Sequence, residues 1–243
     1  MPQLLQEHED TEILSHESVV IDTAKKIILP FEYATDEHYY IGDLGEIKKK
    51  PFFSFVKRSF DIICSLMALI ILALPMLIVA IAIKCSSKGP VFYRQERLGL
   101  NGKPFMLVKF RSMVVDAEKD GAKWSDGDND DRITKVGRFL RKTRLDELPQ
   151  LGACFTGKLS IIGPRPERPE FYEAFEEHVH GFSQRLKVKP GITGLAQVSG
   201  GYDLRPEEKV VYDIEYIKTR SIWLEIKILF KTVGVVFSHK GAK

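Results

Sequence analysis

Between Ile62 and Ile83 the chain reads IICSLMALIILALPMLIVAIAI, about 22 residues without a charge and enough to cross the ~30 Å hydrocarbon core of a bilayer. A secretory signal peptide is not the expected reading, because the run begins past residue 60 and exceeds a typical signal h-region. A membrane-bound protein is therefore expected. Lys48, Lys49, Lys50, Lys57 and Arg58 precede the run, and Lys84, Lys88, Arg94 and Arg97 follow it. Positive residues favour the cytoplasmic side, which one straight span cannot satisfy at both ends. Pro75 lies past the middle, where it removes a backbone hydrogen bond and bends or breaks the helix. These flanks fit a re-entrant helix that enters and leaves one leaflet, and a kinked transmembrane helix stays open beside it. Non-helical backbone at depth needs internal partners, and Ser65, the one conventional hydroxyl in the run, is not beside Pro75.

A chain of 243 residues holds one generous domain, or one domain with appendages. Three widely spaced cysteines, Cys64, Cys85 and Cys154, allow no disulfide framework or zinc spacing and fit a reducing compartment. A net charge of +3 is too small to argue for nucleic acid, and no nucleic-acid partner is expected.

Residues 1–50 are mixed, acidic at first and ending in KKK, with VVIDTAKKIILPFEYA able to hold a short strand or helix. They read as an extension. After the apolar run, VFYRQERLG and PFMLVKFRSM are rich in β-formers and flank NGK, which predicts a hairpin. Its cations Arg94, Arg97, Lys103, Lys109 and Arg111 are expected near lipid headgroups. The Asp-rich stretch DAEKDGAKWSDGDNDDRIT reads as a loop. It lacks the glycine and glutamate that a calcium-binding loop requires. TKVGRFLRKTR predicts a helix presenting Arg138, Arg141 and Lys142.

The next stretch, KTRLDELPQL, sets Asp146 and Glu147 among those cations, with Pro149 behind. Asp146 has the character of an N-cap, with Glu147 and Pro149 in the first turn of a helix running on through QLGACF. The competing reading is a catalytic carboxylate among phosphate-holding bases. In LSIIGPRPERPEF, prolines 164, 166 and 169 alternate with Arg165 and Arg168. Fixed φ angles pre-organise this turn for a ligand. LKVKPGITGLAQVSG is a glycine-punctuated loop suited to close backbone approach. His178 and His180 are expected on the surface. Residues 207–218 predict an amphipathic helix. Residues 221–237, with Trp223 near the start, are too short for a span and read as an interfacial helix, with a buried core helix as the alternative.

In order, KRSFDII, the proline-broken run, GPVFYRQERLG, KFRSM, LRKTRLDELPQL, LSIIGPRPERPEF, VKPGITGLAQV and YDIEYIK closely resemble the bacterial sugar transferase family, the monotopic phosphoglycosyl transferases. The resemblance covers roughly residues 55–238. PERPEF further resembles members that initiate exopolysaccharide or capsule synthesis on undecaprenyl phosphate. Such enzymes move a sugar 1-phosphate from a UDP-sugar to a polyprenyl phosphate, release UMP, use magnesium, and pass through an aspartyl–phosphosugar intermediate. The resemblance implies Asp146 as nucleophile and Glu147 as its dyad partner, a metal ligand or an acid/base; Asp146 and Glu147 are both candidates to hold the metal. It implies a phosphate contact at Arg141 and a nucleotide-binding turn at Pro164, Arg165 and Pro166. Leu74 before the proline, Leu195 in TGLAQV and Gly201 depart from residues common among relatives. The fold expected is α+β: a re-entrant membrane helix at 51–88 and a catalytic domain at 89–243, on the cytoplasmic face of the inner membrane. That domain would combine a small basic hairpin with helices, some interfacial. A non-catalytic partner of a polysaccharide assembly, and a nucleotide-sugar hydrolase, are the competing functions; a homo-oligomer is compatible with either.

Overall fold

The computed structural model describes residues 19–22, 27–29, 33–34, 37–117, 122–123, 130–200 and 204–238. The fold is α+β. Strands β1 (Val19–Asp22) and β2 (Ile27–Leu29) pair antiparallel, and β3 (Tyr39–Tyr40) follows. Helices α1 (Pro51–Ile71) and α2 (Ala73–Ser86) precede the hairpin β4 (Phe92–Leu98) and β5 (Pro104–Phe110). Strand β6 (Ala122–Lys123) joins β2 in parallel. Helix α3 (Lys135–Lys142) leads into a 3₁₀ turn, Leu145–Gln150, and directly into α4 (Leu151–Thr156). Then come β7 (Ser160–Ile162), α5 (Pro169–His178), β8 (Val179–His180), β9 (Gly191–Thr193), α6 (Leu195–Ser199), α7 (Pro206–Thr219) and α8 (Ile222–Ser238). The Asp-rich stretch expected as a loop lies partly outside the described residues, and its described part includes β6.

Pro75 acts as expected, but the bend sits N-terminal to it. Proline at position i leaves the carbonyl of i−4 without its amide and clashes with it, so α1 ends at Ile71 and α2 restarts after Leu72 at an angle of 60°. Among the described residues no single helix is long and apolar enough to cross a membrane, whereas this bent pair passes that test by length and composition. Ser65 is buried within α1 and donates to the Asp61 and Ile62 carbonyls.

Both ends of the bent pair are fastened to one folded body. On α1, Lys57 donates to the Ile162 carbonyl and pairs with Glu225, and Arg58 donates to the Cys154 and Phe155 carbonyls. Asp61 is 2% exposed and accepts from Ser160 Oγ at 3.0 Å and Ile161 N–H at 2.9 Å. At the far end, buried Arg111 donates to the Ser87 and Lys88 carbonyls. Val79 and Ile83 of α2 pack with Phe110 and Leu140. Between these anchors Leu66, Met67, Ile70, Ile71, Leu74 and Ile78 stand exposed. Asp61→Ala leaves a buried hydroxyl and amide without an acceptor and is expected to cost about 2–3 kcal/mol, read as a lower denaturation midpoint. Asn at 61 keeps an acceptor oxygen and should lose less.

The main core gathers Phe171, Phe175, Phe182, Val210, Ile214, Ile217 and Ile228 with Ile162 and Val179. Ile41 joins it, and Leu44 N–H donates to Gln184 Oε1, so residues 37–50 pack against this body. Helix α7 is largely buried. Helix α8 is two-sided: Ile228 is fully buried, while Trp223 is 81% and Phe230 74% exposed. The histidines depart from expectation. The short parallel pairing of β3 with β8 brings His178 and His180 into a half-buried stack of rings with Tyr33, His38 and Tyr40.

Candidate active site

The hairpin sets one wall of the site. Alternation along β5 turns Phe105 and Leu107 inward, and Lys109 lies on the same face. It therefore points into the protein, where its Nζ donates to Glu147 Oε1 at 2.9 Å. Lys109 and Arg97, which pairs with Glu167, do not sit at headgroups as expected, because period two assigns both to the inner face. Arg111 is buried at α2. Arg94 and Lys103 alone of the five hairpin cations are exposed.

Opposite the hairpin lies the acidic pair. Thr134 caps α3 by accepting from Gly137 N–H, and the chain leaves that helix through Arg144 in a left-handed conformation, φ 57°. This residue, not Asp146, stands at the N-cap of the 3₁₀ turn, and no side chain caps that turn. The capping role expected for Asp146 is thus overturned: the reversal at Arg144 places Asp146 one residue inside the turn, directed into the body.

The two carboxylates have opposite environments. Glu147 Oε1 accepts from Arg165 at 2.6 Å as well as from Lys109. Burial pushes its carboxyl up, but Arg165 and Lys109 outweigh that and hold it well below the ordinary glutamate range. Asp146 is 8% exposed and has no such clamp among the described residues. Burial pushes it up to about 6; the Glu147 charge adds to the rise, while Lys109, Arg141 and Arg165 oppose it. The site thus holds one locked carboxylate and one desolvated, electrostatically costly carboxylate side by side.

The proline-rich turn is built to hold Arg165. Prolines donate no backbone hydrogen bond, so this loop is fastened through its acceptors. The Pro164 carbonyl accepts from Gly191 N–H at 2.8 Å, that of Arg165 from Arg185 at 2.9 Å, and that of Pro166 from Arg97 at 3.0 Å. Arg185 is itself buried, paired with Asp213 at 2.5 Å and stacked over Phe182. The glycine-punctuated loop does make a close backbone approach, to this turn. A Cβ on Gly191 would lie 2.1 Å from Gly163 N, and one on Gly194 would lie 2.2 Å from Gly163 O.

Asp146, Glu147, Arg141 and Arg165 thus converge, with Pro164 and Pro166 buried as supports. Sequence reasoning missed Lys109, Arg97 and Arg185. For Lys109 the signal was present: a lysine in phase with Phe105 and Leu107 on an alternating strand. Nothing local marked Arg185. Among the described residues no group of three or more His, Cys, Asp or Glu could hold a metal by itself. Asp146 and Glu147 nonetheless suit a magnesium ion shared with a substrate, since magnesium takes one or two carboxylates plus substrate phosphates.

Comparison with known proteins gives a family for the chain. The model of the family described as Bacterial sugar transferase matches residues 52–239. Over 210 residues the chain is 38% identical to a UDP-N-acetylgalactosamine-undecaprenyl-phosphate N-acetylgalactosaminephosphotransferase of Aeromonas hydrophila, covering 85% of this chain and 49% of that one. It is 46% identical over 191 residues to a UDP-glucose:undecaprenyl-phosphate glucose-1-phosphate transferase of Klebsiella pneumoniae, covering 76% and 41%. It is 42% identical over 202 residues to an undecaprenyl-phosphate galactose phosphotransferase of Salmonella typhimurium, covering 77% and 42%. The chain spans about half the length of these curated relatives. The matched stretch contains the bent helix pair, the hairpin, the acidic pair and the proline-rich turn, and by this match the chain belongs to the bacterial sugar transferase family.

Proposed function

We propose that this chain transfers a sugar 1-phosphate from a UDP-sugar to undecaprenyl phosphate, releasing UMP, as a membrane-bound first step of exopolysaccharide or capsule synthesis. The observation that carries the reading is the unequal pair: Glu147 is locked by two cations, and Asp146 beside it is buried without such a clamp among the described residues. Above pH about 6 Asp146 is an ionised, poorly solvated carboxylate, the state a nucleophile needs. Its oxygen attacks the sugar-bearing phosphorus, and the bond to the bridging oxygen breaks. UMP leaves with that electron pair. An oxygen of undecaprenyl phosphate then attacks the same phosphorus, forming the lipid diphosphate and freeing Asp146.

Arg141 and Arg165 neutralise phosphate charge that would otherwise repel the attacking carboxylate. Lys109 and Arg165 keep Glu147 ionised, and the rigid proline turn holds Arg165 and the nucleotide in place. Magnesium held by Asp146 and Glu147 together with the phosphates would supply further neutralisation of the leaving group's charge.

The bent pair supports a re-entrant seat in the cytoplasmic face of the inner membrane. A span would carry its ends to opposite faces, whereas here both ends are tied to the same body and the exposed tip is apolar. Exposed Trp223 and Phe230 fit α8 to the interface beside it. The division into an extension at 1–50, a membrane helix at 51–88 and a catalytic domain at 89–243 belongs to the same proposal. The test is UMP release from a panel of UDP-sugars with magnesium, with and without undecaprenyl phosphate. Lipid-dependent UMP is the expected result and identifies the sugar. UMP or sugar 1-phosphate formed equally well without lipid indicates a hydrolase, and no product with any donor favours a non-catalytic partner.

A further inference from the structure

Among the described residues, strand β4, FYRQERL, belongs to a sheet of two strands, with β5 on one side. The bonds Gly99 N–H to Lys103 O and Arg111 N–H to Val91 O fix the parity of the hairpin ladder. Odd residues of β4 bond to β5, so Phe92, Arg94, Glu96 and Leu98 direct their amides and carbonyls away from it. The Leu98 amide is taken by the Glu167 carbonyl at 3.1 Å. Those of Phe92, Arg94 and Glu96 find no partner among the described residues. Their side chains are exposed, and across the hairpin Arg94 and Glu96 face only Val108 and Met106.

An exposed edge of this kind is a template for another strand, and this one is complementary to itself. We propose that two copies of the chain pair antiparallel through β4 about a two-fold axis at Gln95, giving a four-stranded sheet in the order β5-β4-β4-β5. In that register Arg94 of each copy lies opposite Glu96 of the other, and both residues direct their backbone groups outward as a hydrogen-bonded pair requires. The ladder is confined to residues 93–97, because the Glu167 carbonyl already holds the Leu98 amide and stands where Phe92 of the second copy would pair. Neighbouring registers are excluded by charge. A shift of two residues one way sets Arg94 against Arg94; the other way sets Glu96 against Glu96. Like charges directly opposite are unfavourable, so only one register survives. The pairing uses nothing from the acidic pair and stands apart from the transferase reading.

The test is the oligomeric state of the full chain in detergent micelles, measured by sedimentation over a range of protein concentrations. Wild type is expected to dimerise, and Arg94→Glu to weaken the dimer about tenfold or more by creating two like-charge contacts. The double variant Arg94→Glu/Glu96→Arg should regain it. A second readout guards against misfolding: Gln95→Cys in a Cys85→Ser background should cross-link to a dimer on mild oxidation, because the two-fold sets residue 95 of each copy at a close, non-hydrogen-bonded pair. A monomeric wild type, an Arg94→Glu dimer of unchanged strength, a double variant as weak as the single, or a Gln95→Cys variant that forms no cross-link would each overturn the pairing.

Discussion

Asp146→Asn is expected to abolish UMP release, by at least ~10³-fold as for removal of a nucleophile, and at the same time to make the fold more stable. The two effects share one cause. Burial raises the Asp146 carboxyl from 3.8 to about 6, so the folded state holds its proton more tightly than the unfolded chain does. Stability contributed by this group is fully present in acid and is lost as pH climbs from about 4 to about 6. At neutral pH the ionised residue therefore costs on the order of 1–3 kcal/mol, which the neutral amide avoids. Melting at pH 7.5 should show the Asn variant several degrees higher, and the gap should close at pH 4. A variant that is inactive and also less stable at pH 7.5 would count against an electrostatically costly carboxylate at this position.

Glu147→Gln should move stability the other way. This carboxylate sits below its ordinary range because Arg165 and Lys109 outweigh its burial, and its removal strands two partly buried cations. Breaking such a network costs about 3–5 kcal/mol. Glu147 stabilises at all pH values above the unfolded glutamate range, near 4.3, and that contribution fades as pH falls below it. The Gln variant should therefore melt lower than wild type at pH 7.5 and approach it in strong acid. UMP release should fall as well, because Arg165 loses its partner. Opposite shifts in stability from two adjacent carboxylates are hard to obtain from two solvated surface residues, and melting curves across pH decide the matter.

Several features can be read without coordinates because their causes are local. The bend follows from Pro75, the hairpin from β-formers around NGK, and helix α3 from the stretch TKVGRFLRKTR. The order of motifs brings Asp146, Glu147, Arg141 and Arg165 forward together. Other expectations fail where a residue's neighbours come from far along the chain. Asp61 reads as an unremarked acid at the edge of an apolar run, yet it meets Ser160, 99 positions away. Lys109 reads as a headgroup cation and instead meets Glu147, 38 positions away. Asp146 has the form of a cap, and one left-handed residue at Arg144 turns it into the body.

The amino-acid order by itself determined which segments are apolar, where helices break and which carboxylates stand among cations, since periodicity, proline and charge act within a few residues. Tertiary structure alone decided which carboxylate is locked and which is left desolvated. Burial and ion pairing depend on which strand face packs against which turn, and that is settled by closing the chain over tens of residues at once.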